Sequence, residues 1–261
     1  MRLPPQPSLY LYRTLREWQS TRDPESWPEP PSGDDRAALL VPGFLAGDPS
    51  LSRMACWLRS GGWDATRSGL VWNVDCMSRA LEGIERQLEQ AVDRTGHRAV
   101  IIGQSRGGTL GRVLAARRPD LVERLVTLGS PVRDQLAVHP QGLLPIGVVG
   151  LLGTVGVPGL FRLSCIRGAC CADAREQLAV PFPKDVEFVA VYSRSDEVVR
   201  WEACLDPAAT AVEVKASHLG MGWSATVWRE LRGHLYAPTR EGYRPQARPV
   251  TGLRWHGELV R

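Results

Sequence analysis

The stretch Val100–Asp120, VIIGQSRGGTLGRVLAARRPD, opens as an apolar run, passes through Gly103-Gln104-Ser105-Arg106-Gly107-Gly108 and continues with a helical pattern. A strand that reverses into a helix within three residues forces the apical residue into strained dihedrals. Side chains two places before and after it would collide unless both were glycine. Gly103 and Gly107 occupy those places, so the stretch predicts a strand, a sharp turn with Ser105 at its apex, and a helix. The strain holds the serine oxygen clear of the sheet. The backbone N–H of Arg106, at the start of the helix, offers a developing negative charge the favourable end of the helix dipole. A tight turn with an idle hydroxyl is the alternative reading of the same residues.

Outward from this turn, apolar runs alternate with helical patterns. AALLVPGFL reads as a buried strand, SLSRMACWLRSGG as a helix ended by Gly61 and Gly62, GLVWN as a short strand, and CMSRALEGIERQLEQAVDRTG as an amphipathic helix stopped at Gly96. After the Ser105 turn, VERLVTLGS, VEFVAVYS and AVEVKAS read as strands and SATVWRELRGHL as a closing helix. Strands alternating with helices imply a parallel sheet covered on both faces.

One segment breaks the alternation. Between about residues 134 and 178 the chain carries LLPIGVVGLLGTVGVPGLF, with glycine at every third position from Gly147 to Gly159. Five glycines and the prolines Pro145 and Pro158 make it a poor membrane span. It reads as an apolar cap inserted between two strands, with contact at a membrane surface as its other reading. A proline-rich arm (1–36) and a proline- and arginine-rich tail (236–261) flank the folded unit, 37–235.

The bulk properties agree with one α/β domain. The chain has 261 residues, 43% apolar and 23% charged, enough for a large core. Its net charge of +4 is spread along the chain, which excludes a nucleic-acid signal. Pro4, Pro5 and Pro7 stand where a signal peptide needs a continuous apolar region, so the expected location is cytoplasmic. The six cysteines form no C-x-x-C pair, and no histidine stands at zinc spacing. They are expected mostly as buried thiols, with CIRGACC able to close a local disulfide in an oxidising compartment. Neither a cofactor nor a metal is expected.

A serine hydroxyl needs a base to become a nucleophile, and the base needs an orienting acid. VAVYSRSDEVVRW places Asp196 just past a buried strand, with Glu197 beside it as a substitute acid. VEVKASHLGMGW places His218 past the next strand and before the final helix. His97, His139, His234 and His256 fit that role less well: the first precedes the strand of Ser105, the second opens the insertion, and the others lie at the end of the last helix and in the tail. A second oxyanion donor is expected from the loop after the first strand, where Pro42-Gly43 turns the chain back and the N–H of Phe44, or of Leu45, aims at the substrate oxygen.

These pieces resemble the α/β-hydrolase superfamily and, within it, the bacterial esterase and triacylglycerol lipase branch. The matching stretches are VPGFLAGD at the oxyanion loop, GQSRGG at the turn, VTLGSPV on the next strand, SRSDEVV for the acid and ASHLGM for the base, from about Ala37 to Leu235. The resemblance implies an α/β fold with a mostly parallel central sheet, helices on both faces and the apolar cap inserted after the sixth strand. This chain departs from the family in having Pro42-Gly43 where His-Gly is common and Arg106 where many lipases carry histidine or methionine.

The expected activity is that of a serine hydrolase cleaving carboxylic esters through an acyl-enzyme. Ser105, His218 and Asp196 form its triad, Phe44 and Arg106 its oxyanion hole, and a small apolar ester or acyl compound is its substrate. Two alternatives stay open: a thioesterase, acyltransferase or macrocyclase using the same triad, and a non-catalytic protein that binds lipid or a membrane surface. The residues leave the oligomeric state undecided.

Overall fold

Period-two alternation in two buried strands divides the core between two faces of one sheet. Ala37, Leu39 and Val41 of strand β1 (Ala37–Val41) point to one side, Ala38 and Leu40 to the other; Ile101 is set against Val100 and Ile102 in the same way along β3 (Ala99–Gln104). A computed structural model of the chain describes residues 7–235. The expected C-terminal tail and His256 lie outside the described residues.

The remaining strands are β2 (Asp64–Arg67), β4 (Val122–Leu128), β5 (Glu187–Tyr192) and β6 (Thr210–Glu213), and the sheet order is β2-β1-β3-β4-β5-β6. Every pairing is parallel, with Val41 opposite Gly103 and Gly103 opposite Thr127. Helices α3 (Met77–Thr95) and α4 (Arg106–Arg117) cover one face with Leu81, Ile84, Leu88, Leu110 and Leu114. Helices α2 (Ser52–Ser60) and α7 (Ala225–Leu235) cover the other, where Trp57 stacks on Trp228 at 5.2 Å between ring centroids. Burying each such indole removes on the order of 200 Å² from water, several kcal/mol at ~25 cal/mol per Å².

The chain first steps from β1 to β2, then returns past β1 to β3 and moves steadily the other way. Loops leaving the carboxyl ends of β1 and β3 therefore diverge and leave a crevice between them, the place where open parallel sheets bind ligands. Ser105 and the Pro42–Leu45 loop border that crevice.

Two expectations about the strands need correction. GLVWN is a loop: Gly69 takes a left-handed φ of +79°, and Val71 and Trp72 stand 80% and 63% exposed. The strand instead lies just before it, at Asp64–Arg67, an edge strand whose mixed polarity hides it from a search for apolar runs. The insertion follows β4, the fourth strand of six, instead of the sixth. Among the described residues no strand precedes Ala37, because that part of the chain holds helix α1 (Pro7–Gln19) and turns.

Between β4 and β5 the chain forms helix α5 (Pro140–Thr154), two 3-10 turns at Leu163–Ile166 and Ala169–Cys171, and helix α6 (Ala172–Ala179). Two of the five glycines in this segment's period, Gly150 and Gly153, have a steric cause. A Cβ on Gly153 would sit 2.1 Å from the carbonyl oxygen of Phe161, and one on Gly150 2.6 Å from Leu163 Cδ2, so the returning chain can lie flat on α5 only over glycine. No helix among the described residues is long and apolar enough to cross a membrane.

Candidate active site

Ser105 occupies the apex between β3 and α4 with φ 51° and ψ −124°, a conformation that costs a non-glycine residue about 1–3 kcal/mol. Its neighbours leave no room for side chains. A Cβ on Gly103 would lie 2.4 Å from Gly108 Cα, and one on Gly107 2.2 Å from the carbonyl oxygen of Val41. The turn is held by its own N–H, which donates to Leu128 O at 2.9 Å, across the sheet on β4.

Gly43 brings the first loop against this turn: a Cβ there would be 3.2 Å from Ser105 Cβ. Phe44 lines the cavity and meets Phe161 of the insertion edge-on at 6.3 Å, while Leu45 beyond it takes a φ of 60°. The loop's position depends on Asn73, whose Nδ2 donates to Pro42 O at 2.7 Å. Arg106 supports Asn73 in turn, donating from Nη1 to Asn73 O at 3.0 Å and from Nη2 to Asp75 O. Burial pulls the Arg106 guanidinium down to about 10, which leaves it cationic at neutral pH. The arginine thus ties the Pro42–Leu45 loop to the helix that follows Ser105, and its backbone N–H at the first position of α4 has no partner within the helix.

Asp196 and His218 meet past the ends of β5 and β6, with Nδ1 of the histidine 2.7 Å from Oδ2 of the aspartate and both side chains buried. The other carboxylate oxygen, Oδ1, accepts from the N–H groups of Val198 and Val199 at 2.8 Å each, which fixes the carboxylate's rotation. Gln104, next to Ser105, donates from Nε2 to the carbonyl oxygens of His218 and Leu219 at 3.2 and 3.1 Å. Serine turn and histidine loop are therefore braced against each other. Glu197, the substitute acid, points elsewhere: its Oε1 lies 3.7 Å from Arg13, and burial raises its carboxyl above the ordinary glutamate value.

His97, His139 and His234 stand apart from this meeting point. They lie before β3, at the N-cap of α5 and near the end of α7.

The arm adds contacts that no sequence pattern announces. Glu17 of α1 accepts from the N–H of Ser217 at 2.9 Å and from its hydroxyl, immediately before His218. Arg13 donates to Ser195 Oγ at 2.9 Å, immediately before Asp196. One turn of helix α1 thus clasps both loops that carry Asp196 and His218.

Ser105 and His218 share one cavity of about 670 Å³, within the range of small-molecule sites. Leu136, Ile146 and Phe161 of the insertion form its apolar side. Cys165 and Cys171 form part of another wall. All six cysteines are free thiols, so CIRGACC holds no disulfide; three of the six, Cys76, Cys171 and Cys204, are buried. The cluster's sulfurs gather around Cys76, ninety residues away in sequence, which explains why local spacing gave no sign of it.

A family model described as alpha/beta hydrolase fold matches residues 38–145. Among solved structures the chain is similar to the mature form of the lipase BlEst2 from Bacillus licheniformis, at 14% identity over 80% of this chain and 95% of that one, with a TM-score of 0.60. It is also similar to the monoacylglycerol lipase of Paleococcus ferrophilus, at 12% identity over 78% and 97% of the two chains with a TM-score of 0.52. Carboxylesterase CesB from Bacillus subtilis aligns at 15% identity over 86% and 97%, with a TM-score of 0.50. No curated protein sequence matches the chain.

Proposed function

We propose, starting from the chain's match to a model of the alpha/beta hydrolase fold and its structural similarity to lipases, that it is a serine hydrolase of carboxylic esters with an apolar acyl or alcohol part. The observation that carries the reading is the buried Asp196–His218 pair at 2.7 Å, whose histidine lines the same cavity as a serine held at φ 51°. A histidine fixed through Nδ1 keeps Nε2 for the nucleophile.

In this mechanism Ser105 Oγ attacks the ester carbonyl as His218 Nε2 takes its proton. Asp196 stabilises the imidazolium, and the N–H groups of Phe44 and Arg106 hold the tetrahedral oxyanion. His218 then returns the proton to the departing alcohol, leaving an acyl-enzyme on Ser105. Water, activated by the same histidine, releases the acid and restores the serine. A fluorophosphonate probe tests the assignment. It is expected to label one peptide, at Ser105, with labelling slowed most by p-nitrophenyl esters of medium and long chain. A label on another residue, or protection by acetate esters alone, would overturn the residue or the apolar substrate class respectively.

The insertion favours a second property of the same enzyme, contact with lipid surfaces. The outer side of α5 leaves Leu144 72% exposed, Leu151 56% and, just beyond, Val155 71%, with Leu143, Val148 and Leu152 also exposed. A contiguous apolar face of this kind marks an interaction surface. The wild-type chain is expected to float with phosphatidylcholine vesicles and Leu144→Ser/Leu151→Ser to remain in the dense fraction. Equal flotation of the two proteins would remove this face as the contact.

A further inference from the structure

Four cysteines converge beside the cavity from two distant parts of the chain. Cys76 is the N-cap of α3, whereas Cys165, Cys170 and Cys171 come from the two 3-10 turns before α6, and their four Sγ atoms all lie within 4.8 Å of one another. We propose that these four thiolates form a tetrahedral zinc site that fastens the insertion to the core.

The spacing suits a metal better than a covalent pair. Zinc bound to four sulfurs at ~2.3 Å sets them about 3.8 Å apart. The Cys76–Cys171 and Cys170–Cys171 separations are 3.4 and 3.8 Å. A disulfide needs sulfurs at about 2.0 Å and would leave two of the four without a role. An all-sulfur donor set selects a soft cation over magnesium or calcium, whose preferred ligands are oxygens.

Binding is a proton exchange without electron transfer. Four S–H bonds break, four Zn–S bonds form, and four protons pass to solvent, which leaves a site of net charge −2. The surroundings complement that charge. Helix α3 runs for 19 residues from Cys76 with no acidic residue in its first turn, and the one acid beside it, Asp75, which accepts from the Cys76 N–H at 2.6 Å, is paired with Arg79. Arg106 is anchored on the carbonyl of Asp75, the residue before Cys76. Arg175 holds the carbonyl oxygens of Ile166 and Gly168, at 3.4 and 2.8 Å, in the turn between the ligands. Because Cys165 and Cys171 also line the cavity, a metal here would hold one wall of the substrate site in place.

The test uses the whole chain, purified with a phosphine reductant, loaded with zinc chloride and desalted. It is expected to retain about one zinc per chain, and zinc at a hundredfold excess over Kd is expected to raise the unfolding midpoint by roughly 5–10 °C. Cobalt(II) in its place should give the strong thiolate-to-metal absorption of a tetrahedral site. Cys76→Ser should weaken zinc binding by more than about 100-fold, since the loss of mere supporting contacts costs 10–100-fold. The cobalt spectrum of the wild-type chain decides the matter even if that variant fails to fold. No zinc retained together with no thiolate-to-cobalt absorption would overturn the proposal, as would a Cys76–Cys171 disulfide that forms in air and is not prevented by zinc.

Discussion

Ser105→Ala is expected to lower kcat/KM for a p-nitrophenyl ester by about 10⁴–10⁶-fold while leaving the thermal midpoint within a degree or two of wild type. The two halves of that expectation rest on different atoms. The hydroxyl is the nucleophile of the proposed reaction, so its removal leaves only the oxyanion N–H groups and substrate binding to assist water, a residual effect. The Cβ, in contrast, stays where it was: alanine enters the same φ 51° turn with the same clearance from Gly43 and with no new atom to place. Progress curves at matched protein concentration, with a melt of each sample, check both halves. Equal hydrolysis rates in the two proteins would sink the nucleophile assignment, and a midpoint lowered by many degrees would show that the hydroxyl holds the turn together.

That separation of chemistry from folding also explains which parts of the molecule can be read from residues alone. The Ser105 turn is mostly local: the clash that demands Gly103 lies within the six residues Gly103–Gly108, whereas Gly107 is demanded by the close approach of Val41 on the neighbouring strand. The long helix ending at Gly96, which takes a left-handed φ of 71°, is legible for the same reason. Asp196 and His218 are one step removed, placed by the rule that loops at the carboxyl ends of parallel strands share one side of the sheet. β2 is missed because an edge strand buries only part of its surface, and Asp64 and Arg67 do not look like core. Glu17, Arg13 and Cys76 are missed because their partners lie about 90 to 200 residues away and no periodicity connects them. Asn73 falls in the stretch read from the residues as a strand, where a side chain supporting the Pro42–Leu45 loop has no reason to be sought.

The second large effect separates Asp196 from its neighbour. Asp196→Asn is expected to reduce kcat by about 10⁴-fold with little change in KM, and Glu197→Gln by less than about 3-fold. The geometry around Asp196 dictates the first result. Val198 and Val199 both donate N–H to Oδ1, so an asparagine must offer its carbonyl there and turn its NH₂ toward His218 Nδ1. Nδ1 then has to accept, the ring proton moves to Nε2, and the nitrogen that should receive the serine's proton is already occupied. Glu197 has no contact with the imidazole of that histidine; its carboxylate lies against the His218 backbone instead. Its raised pKa, caused mainly by burial, has a consequence for stability instead. The folded chain keeps this proton to a higher pH than the unfolded chain does, so the contribution is complete below the ordinary glutamate pKa. It fades as pH climbs through the raised folded value. Glutamine cannot ionise, so Glu197→Gln should flatten that fall in thermal midpoint as pH rises above the ordinary glutamate value. If Glu197→Gln instead loses activity while Asp196→Asn keeps it, the orienting acid is Glu197, and the 2.7 Å contact at His218 holds a loop without serving the reaction.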